Sequence, residues 1–165
     1  MSYQIPFPAG ASIVELGGGG NPSFRPNLDF RAGPTVDIVG DLSAPLPIAD
    51  QAFDCVFSRY AFEHVSWRTI KSLLAETYRI MKPEGHLVLI LPNLLEQARV
   101  LVNKVEWEEN DLCMLFGDQD YAGNFHCNGF SPEYASRLLA EAGFRNVIVI
   151  PLPGCKTDMI VEARK

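Results

Sequence analysis

The sequence is short of several things, and each shortage closes off a class of function. No apolar run approaches the ~18–20 residues that a membrane span needs, and no basic stretch with a signal-type core opens the chain. No membrane association is therefore expected. Positive charge is scarce: 14 Lys and Arg stand against 20 Asp and Glu, a formal net charge of −6 without any basic cluster. A nucleic-acid backbone would meet net repulsion, so nucleic acid is not an expected partner. The four cysteines, Cys55, Cys113, Cys127 and Cys155, show no C-x-x-C spacing, which implies reduced thiols and a cytoplasmic protein. A zinc site built from His64, Cys113, His126 and Cys127 lacks a characteristic spacing, and no metal is expected. The Gly-Lys-Ser/Thr of a Walker loop is missing too.

What remains is an ordinary globular composition, 47% apolar and 21% charged over 165 residues. One domain spanning 1–165 is the economical expectation. Short β-branched or apolar runs predict strands at 12–16, 27–30, 35–42, 53–60 and 86–93, with a C-terminal hairpin from 146–152 and 158–164. Helical spacing of Ile70, Leu73, Leu74, Thr77, Ile80 and Met81 predicts a helix within 66–85, with Ser66 as its cap and Pro83 and Gly85 as its stop. Further helices are expected over 94–107 and 131–144, the latter entered through Ser131 and Pro132. The stretch 108–129 is polar and aromatic without periodicity, long for a structureless loop, and reads as a functional cover. Strands alternating with helices imply a mostly parallel α/β sheet, whose ligands bind beyond the carboxyl ends of the strands.

The stretch "IVELGGGGNPSFRPNLDF" (13–30) raises the question of the ligand. An apolar run, a carboxylate and four glycines would suit a dinucleotide if a helix followed, because pyrophosphate rests on helix N-terminal N–H groups. Pro22 and Pro26 leave room for no more than a turn, and Pro22 stands where the third glycine of G-x-G-x-x-G belongs. A ligand without phosphate fits better, and S-adenosylmethionine is one. Gly17 and Gly19 let the backbone approach it closely. Glu15 can act near its cationic end or order the loop. Asp29 can accept from both ribose hydroxyls, and Asp41 from the adenine amino group while Leu42 packs on the ring. Asp37, in the middle of a strand, is expected to hydrogen-bond a loop instead.

Together "VELGGGG", "NLDF", "VDIVGDLSAPLPIADQAFDCVFSRYAFEHV", "MKPEGHLVLILPN" and "FSPEYASRLLAEAGF" resemble the class I S-adenosylmethionine-dependent methyltransferases, in particular a small bacterial group compressed in its N-terminal half. The resemblance implies a Rossmann-like, seven-stranded sheet of order 3-2-1-4-5-7-6 with the last strand antiparallel. It implies S-adenosyl-L-methionine as cofactor, bound by Glu15, Gly17, Gly18, Gly19, Asp29, Asp41, Leu42 and Ser58. Two departures stand out: the third family glycine is Asn21, and the helices between strands 1–2 and 2–3 are reduced or absent. A sheet face near strands 1–3 would then lose its cover, and a homo-oligomer is the expected way to bury it.

Arg59, Tyr60 and Tyr121 are the candidate substrate contacts. His64, in the Glu63-His64 pair after strand 4, and His126, in "GNFHCNGF", are the candidate bases, because imidazole titrates near neutral pH. The implied reaction is methyl transfer to a small molecule by direct displacement, which needs alignment and water exclusion and a dedicated base only for a weakly acidic nucleophile. The competing expectation is a non-catalytic cofactor- or partner-binding module on a degenerate methyltransferase fold.

Overall fold

The computed structural model describes residues 3–165. Seven strands form one sheet: β1 (Ile13–Leu16), β2 (Asn27–Asp29), β3 (Ile38–Val39), β4 (Phe53–Arg59), β5 (Met81–Pro92), β6 (Arg145–Pro151) and β7 (Asp158–Arg164). Their order is β3-β2-β1-β4-β5-β7-β6, with β7 antiparallel to both neighbours and the pairs from β3 to β5 parallel. Four helices accompany it: α1 (Ile70–Ile80), α2 (Leu94–Leu101), α3 (Glu109–Phe116) and α4 (Pro132–Glu141). A 3-10 turn at Phe62–His64 follows β4. Among the described residues no helix is long and apolar enough to cross a membrane.

The main core lies on one side of the sheet. Val14, Leu16, Leu28, Val56, Leu87 and Leu89 point into it and meet Ile70, Leu73, Leu74, Leu138 and Leu139 of α1 and α4. Both helices are amphipathic at a spacing of three and four, so each lays an apolar stripe on the strands. Helix α4 starts where the sequence suggests: the Ser131 side chain accepts from Tyr134 N–H, and Pro132 occupies the first turn. Helix α1 begins later than Ser66, at Ile70, because 66–69 closes a separate turn through Thr69 N–H and Ile70 N–H on the Ser66 carbonyl.

The opposite face is covered differently at its two ends. Over the centre, Phe57, Val88, Ile90 and Ile160 pack under Tyr3, Ile5, Phe7 and Phe24. Over β1 and β2 the face is polar. Glu15, Asn27 and Asp29, all on this side by strand alternation, are buried and hydrogen-bonded to the loops that cross them. A web of polar bonds stands where a helix would otherwise pack.

Several boundaries differ from expectation. Strand β3 is two residues rather than 35–42, because Asp37 turns its carboxylate back onto Asn27 N–H and Arg25 and Gly40 N–H returns to the Asp29 carbonyl. Strand β5 begins at Met81, five residues before the expected start, through a register shift between Phe53 and Cys55 that absorbs the turn at Gly85. The helix expected over 94–107 ends at Leu101, and a second one, α3, lies inside the stretch that shows no periodicity. Glu108 and Asp111 form a reciprocal capping box at its start, a signal carried by polar residues rather than by an apolar stripe.

Candidate functional site

Strand β1 runs out at Leu16, and Gly17 turns the chain over the end of β4. Its φ of +76° lies in the left-handed region, and a Cβ there would meet the Ala61 Cβ at 2.3 Å. Only glycine satisfies both conditions. Gly19, at φ +55°, donates its N–H to Asp29 Oδ2 at 3.0 Å, and the other Asp29 oxygen accepts from Arg31 N–H at 3.0 Å. The carboxylate is thereby aimed from the tip of β2, with each oxygen still holding an accepting lone pair.

Gly17 and Asp29 border a cavity beyond the carboxyl ends of the parallel strands, whereas Gly19, expected to touch the cofactor, borders a neighbouring cavity with Asp29 and Arg31. Gly17, Asp29, Asp41, Leu42, Tyr60 and His64 line the first. Asp41 Oδ1 accepts from Ser43 N–H at 2.7 Å, which fixes the turn after β3. Tyr121 and Gly123, from the segment after α3, also border the cavity. The Tyr121 ring stacks on Phe30 at 6.4 Å between centroids, and the Arg31 guanidinium carbon lies 3.7 Å from the Tyr121 centroid. Phe30, Ala61 and Gly123 escape a sequence reading; an aromatic directly after the strand-end Asp29 is the one signal for the first of them.

Other expected cofactor contacts stand outside this lining. The Glu15 carboxylate accepts from Ser23 N–H at 2.5 Å and Phe24 N–H at 2.7 Å and so holds the exit of the glycine loop. Burial pushes its pKa up, and the Phe24 and Ser23 bonds and the Arg59 charge oppose that rise. Gly18 donates to the Asn27 side chain at 3.0 Å. Ser58 is buried between β4 and β1, its hydroxyl donating to the Leu16 carbonyl at 2.7 Å. Of the expected substrate contacts, Arg59 does not border the cavity, whereas Tyr60 and Tyr121 do.

A second cavity shares Tyr60, His64 and Tyr121 with the first and adds Glu63, Cys113, His126 and Asp158. Tyr60 has a φ of +52°, and its hydroxyl donates to Asp158 at 2.6 Å. Burial and the Asp158 carboxylate hold that phenol well above its ordinary pKa. The two candidate bases meet here, with ring centroids 5.2 Å apart. The His64 Nδ1 faces the Phe125 carbonyl at 3.0 Å, and the Glu63 carbonyl ties in the same segment by accepting from Cys127 and Asn128 N–H. Burial lowers the His126 pKa, and His64 lowers it further. Glu63 is only 2% exposed, and burial pushes its carboxyl up to about 8, with the Asp158 charge adding to the rise.

A family model described as a methyltransferase domain matches residues 25–89. A stretch of 45 residues is 47% identical to the uncharacterized protein YafE of Escherichia coli K12, covering 27% of this chain and 21% of that protein. The match thus spans about a fifth of the curated relative. Among solved structures, an S-adenosylmethionine-dependent methyltransferase of Thermotoga maritima superposes with a TM-score of 0.68 at 16% identity, over 94% of this chain and 82% of that one. One from Mesorhizobium loti gives 0.64 at 19%, over 94% and 91%. Human N-acetylserotonin methyltransferase, solved with S-adenosylmethionine, gives 0.59 at 20%, over 93% of this chain and 47% of that one. The matched segment, the strand order and the antiparallel β7 together are consistent with the class I S-adenosylmethionine-dependent methyltransferase family.

Proposed function

We propose that this protein is an enzyme that binds S-adenosyl-L-methionine and passes its methyl group to a small-molecule acceptor by direct displacement. The observation that carries the reading is the convergence of Gly17, Asp29, Asp41 and Leu42 on one cavity at the strand ends of this fold. Gly17 offers bare backbone to the methionine moiety. Asp29, at the tip of β2, offers two oxygens to the ribose diol, while Asp41 and Leu42 after β3 suit the amino edge and the face of the adenine. Glu15, Gly18 and Ser58 serve the site by holding the loop rather than by touching the ligand.

The second cavity is the acceptor side. Methyl transfer needs the nucleophile in line with the departing sulfur, and positioning alone supplies several kcal/mol of the barrier. Tyr60 and Tyr121 border both cavities, so they stand where donor and acceptor would meet. His64 and His126 are the groups placed to take a proton from a hydroxyl or amine acceptor.

S-adenosylhomocysteine tests the first step. At ~100 times its dissociation constant it should stabilise the fold by roughly 2.7 kcal/mol. Saturating ligand that neither raises the melting temperature nor gives heat in calorimetry would overturn the reading. The short links between β1, β2 and β3 favour a binding-only module as the second reading. Tight binding without methyl transfer to any of a panel of hydroxyl and amine acceptors would decide for it.

A further inference from the structure

We propose that Glu63, His64 and His126 bind a divalent transition-metal ion, with Zn2+ as the best-matched species, on the acceptor side of the site. One donor atom from each side chain lies within 4.8 Å of the other two. Ligands at about 2.0–2.2 Å around a tetrahedral zinc stand roughly 3.4 Å apart, so side-chain rotation of about an ångström closes the set. Two imidazoles and one carboxylate are the donors that suit zinc and its first-row neighbours; Mg2+ and Ca2+ prefer oxygen throughout. Three protein ligands also leave a position open to water or substrate, as in catalytic rather than structural zinc sites.

A second observation points to the same place independently. Glu63 is 2% exposed, and its Oε2 is buried without a hydrogen-bond partner among the described residues. A buried carboxylate oxygen left unpaired is costly, and a cation at the His64–His126 pair would satisfy it. Asp158 and Asp118 border the same cavity and add negative potential around it.

His64 is also braced in the manner of metal ligands, which direct one ring nitrogen to a carbonyl or carboxylate and the other to the ion. His64 sets Nδ1 against the Phe125 carbonyl at 3.0 Å, leaving Nε2 as its donor. The His126 backbone N–H donates to the Phe116 carbonyl at 3.0 Å, which fixes its segment. Cys127 N–H and Asn128 N–H on the Glu63 carbonyl, at 2.8 and 3.0 Å, lock the two segments together. The ligands are therefore held by backbone rather than gathered by chance from mobile loops. The spacing rule misses the site because Glu63 and His64 are adjacent while His126 lies on another segment; neither cysteine of the failed pattern is needed.

His64 borders both cavities, so the ion would sit at their boundary. Resting on the methyl-transfer reading, this implies an acceptor that ligates the ion through an oxygen, a hydroxylated small molecule whose nucleophile the metal both positions and acidifies. With the ion bound, His64 and His126 are ligands, and the metal takes over the activation otherwise assigned to them as bases.

The whole chain, stripped with EDTA and kept free of cofactor, should be titrated with Zn2+ by calorimetry and with Co2+ by visible absorption. The expected result is one ion per chain and ligand-field bands without thiolate charge transfer. Glu63→Gln and His126→Ala should each weaken binding at least about tenfold, while S-adenosylhomocysteine affinity stays within twofold of the parent. With three histidines in the chain, long-range 15N imidazole spectra of the unmodified protein provide a measurement that needs no variant: His64 and His126 should shift on adding Zn2+ and His86 should not. Absence of stoichiometric binding, thiolate bands, affinity unchanged in both variants, or a shift confined to His86 would each overturn the proposal. Because the metal is titrated without cofactor, failure of the methyl-transfer reading would show separately, as loss of S-adenosylhomocysteine binding.

Discussion

Asp29 and Asp37 lie eight positions apart, share a charge, and do different work. Asp29 borders the cavity with accepting capacity left over, whereas Asp37 spends its carboxylate on Asn27 N–H at 2.7 Å and on the Arg25 guanidinium. Asp29→Ala should therefore weaken S-adenosylhomocysteine binding by ~1.5–3 kcal/mol, the range for hydrogen bonds to a charged group. Asp37→Ala should lower the melting temperature and leave the affinity within twofold. Calorimetric titration of the two variants checks this. An equal loss of affinity in both would mean that the cavity is read by the shape of the loop rather than by Asp29 itself.

At the scale of elements, the missing helices between β1, β2 and β3 are replaced by side chains that act on loop backbone. Asn27 is the centre of this arrangement: its side chain accepts from Gly18 N–H and donates to the carbonyls of Gly19 and Thr35. Asn27→Ala should cost about 1–3 kcal/mol, the penalty for stranding a buried polar partner, measured by urea unfolding. A loss below ~0.5 kcal/mol, the scale of ordinary surface changes, would show that the web is dispensable. The opposite ends of the strands carry a second polar clamp. Asp54 Oδ2 accepts from the Ser12 hydroxyl at 2.5 Å and Ser12 N–H at 2.9 Å, and Lys82 pairs with the same carboxylate at 3.0 Å. The Ser12 bonds first, then Lys82, hold the Asp54 pKa down to about 2 from an ordinary 3.8. A folded pKa below the unfolded one stabilises the fold above the unfolded value and loses that contribution as pH falls through the folded one. Asp54→Asn should thus lower the melting temperature at pH 7, and the difference from the parent should shrink between about pH 4 and 2. A gap that persists undiminished at pH 2 would assign the effect to packing.

Over the whole molecule, the segment after α3 joins the two cavities. Gly117 N–H closes α3 on Cys113, His126 N–H returns to the Phe116 carbonyl, and between them Tyr121 reaches Phe30 across the cavity mouth. Such a cover should exchange its amide hydrogens faster without ligand and slow on addition of S-adenosylhomocysteine, over 117–124 more than over α4. Uniform protection, or none in that segment, would reduce it to fixed packing. The face expected to lie open near β1–β3 is only partly open: the polar web and Phe24 cover β1 and β2, while Val39 of β3 at 58% exposure remains outside. A second copy therefore has less to bury than the missing helices imply.

Helices α1 and α4 and the antiparallel C-terminal hairpin were legible in the residues, because apolar periodicity, caps and turn residues are local signals, whereas the strand order came only through the family resemblance. Helix α3 was not legible, since its start is written in a polar capping box and its eight residues bury only Asp111. Asp37 bonds a loop as its mid-strand position suggested. The fate of Glu15 was open to the sequence, since a carboxylate at a strand end looks the same whether it meets a ligand or a backbone N–H, and Asn27 carried no signal of its central part. Their roles depend on which way a short link folds back, and that is set by contacts between residues eight to ten apart. The meeting of Glu63 and His64 with His126 goes further still. It joins positions more than sixty residues apart, through backbone bonds from Cys127 and Asn128 to the Glu63 carbonyl, and only the closed tertiary structure brings those groups within reach of one ion.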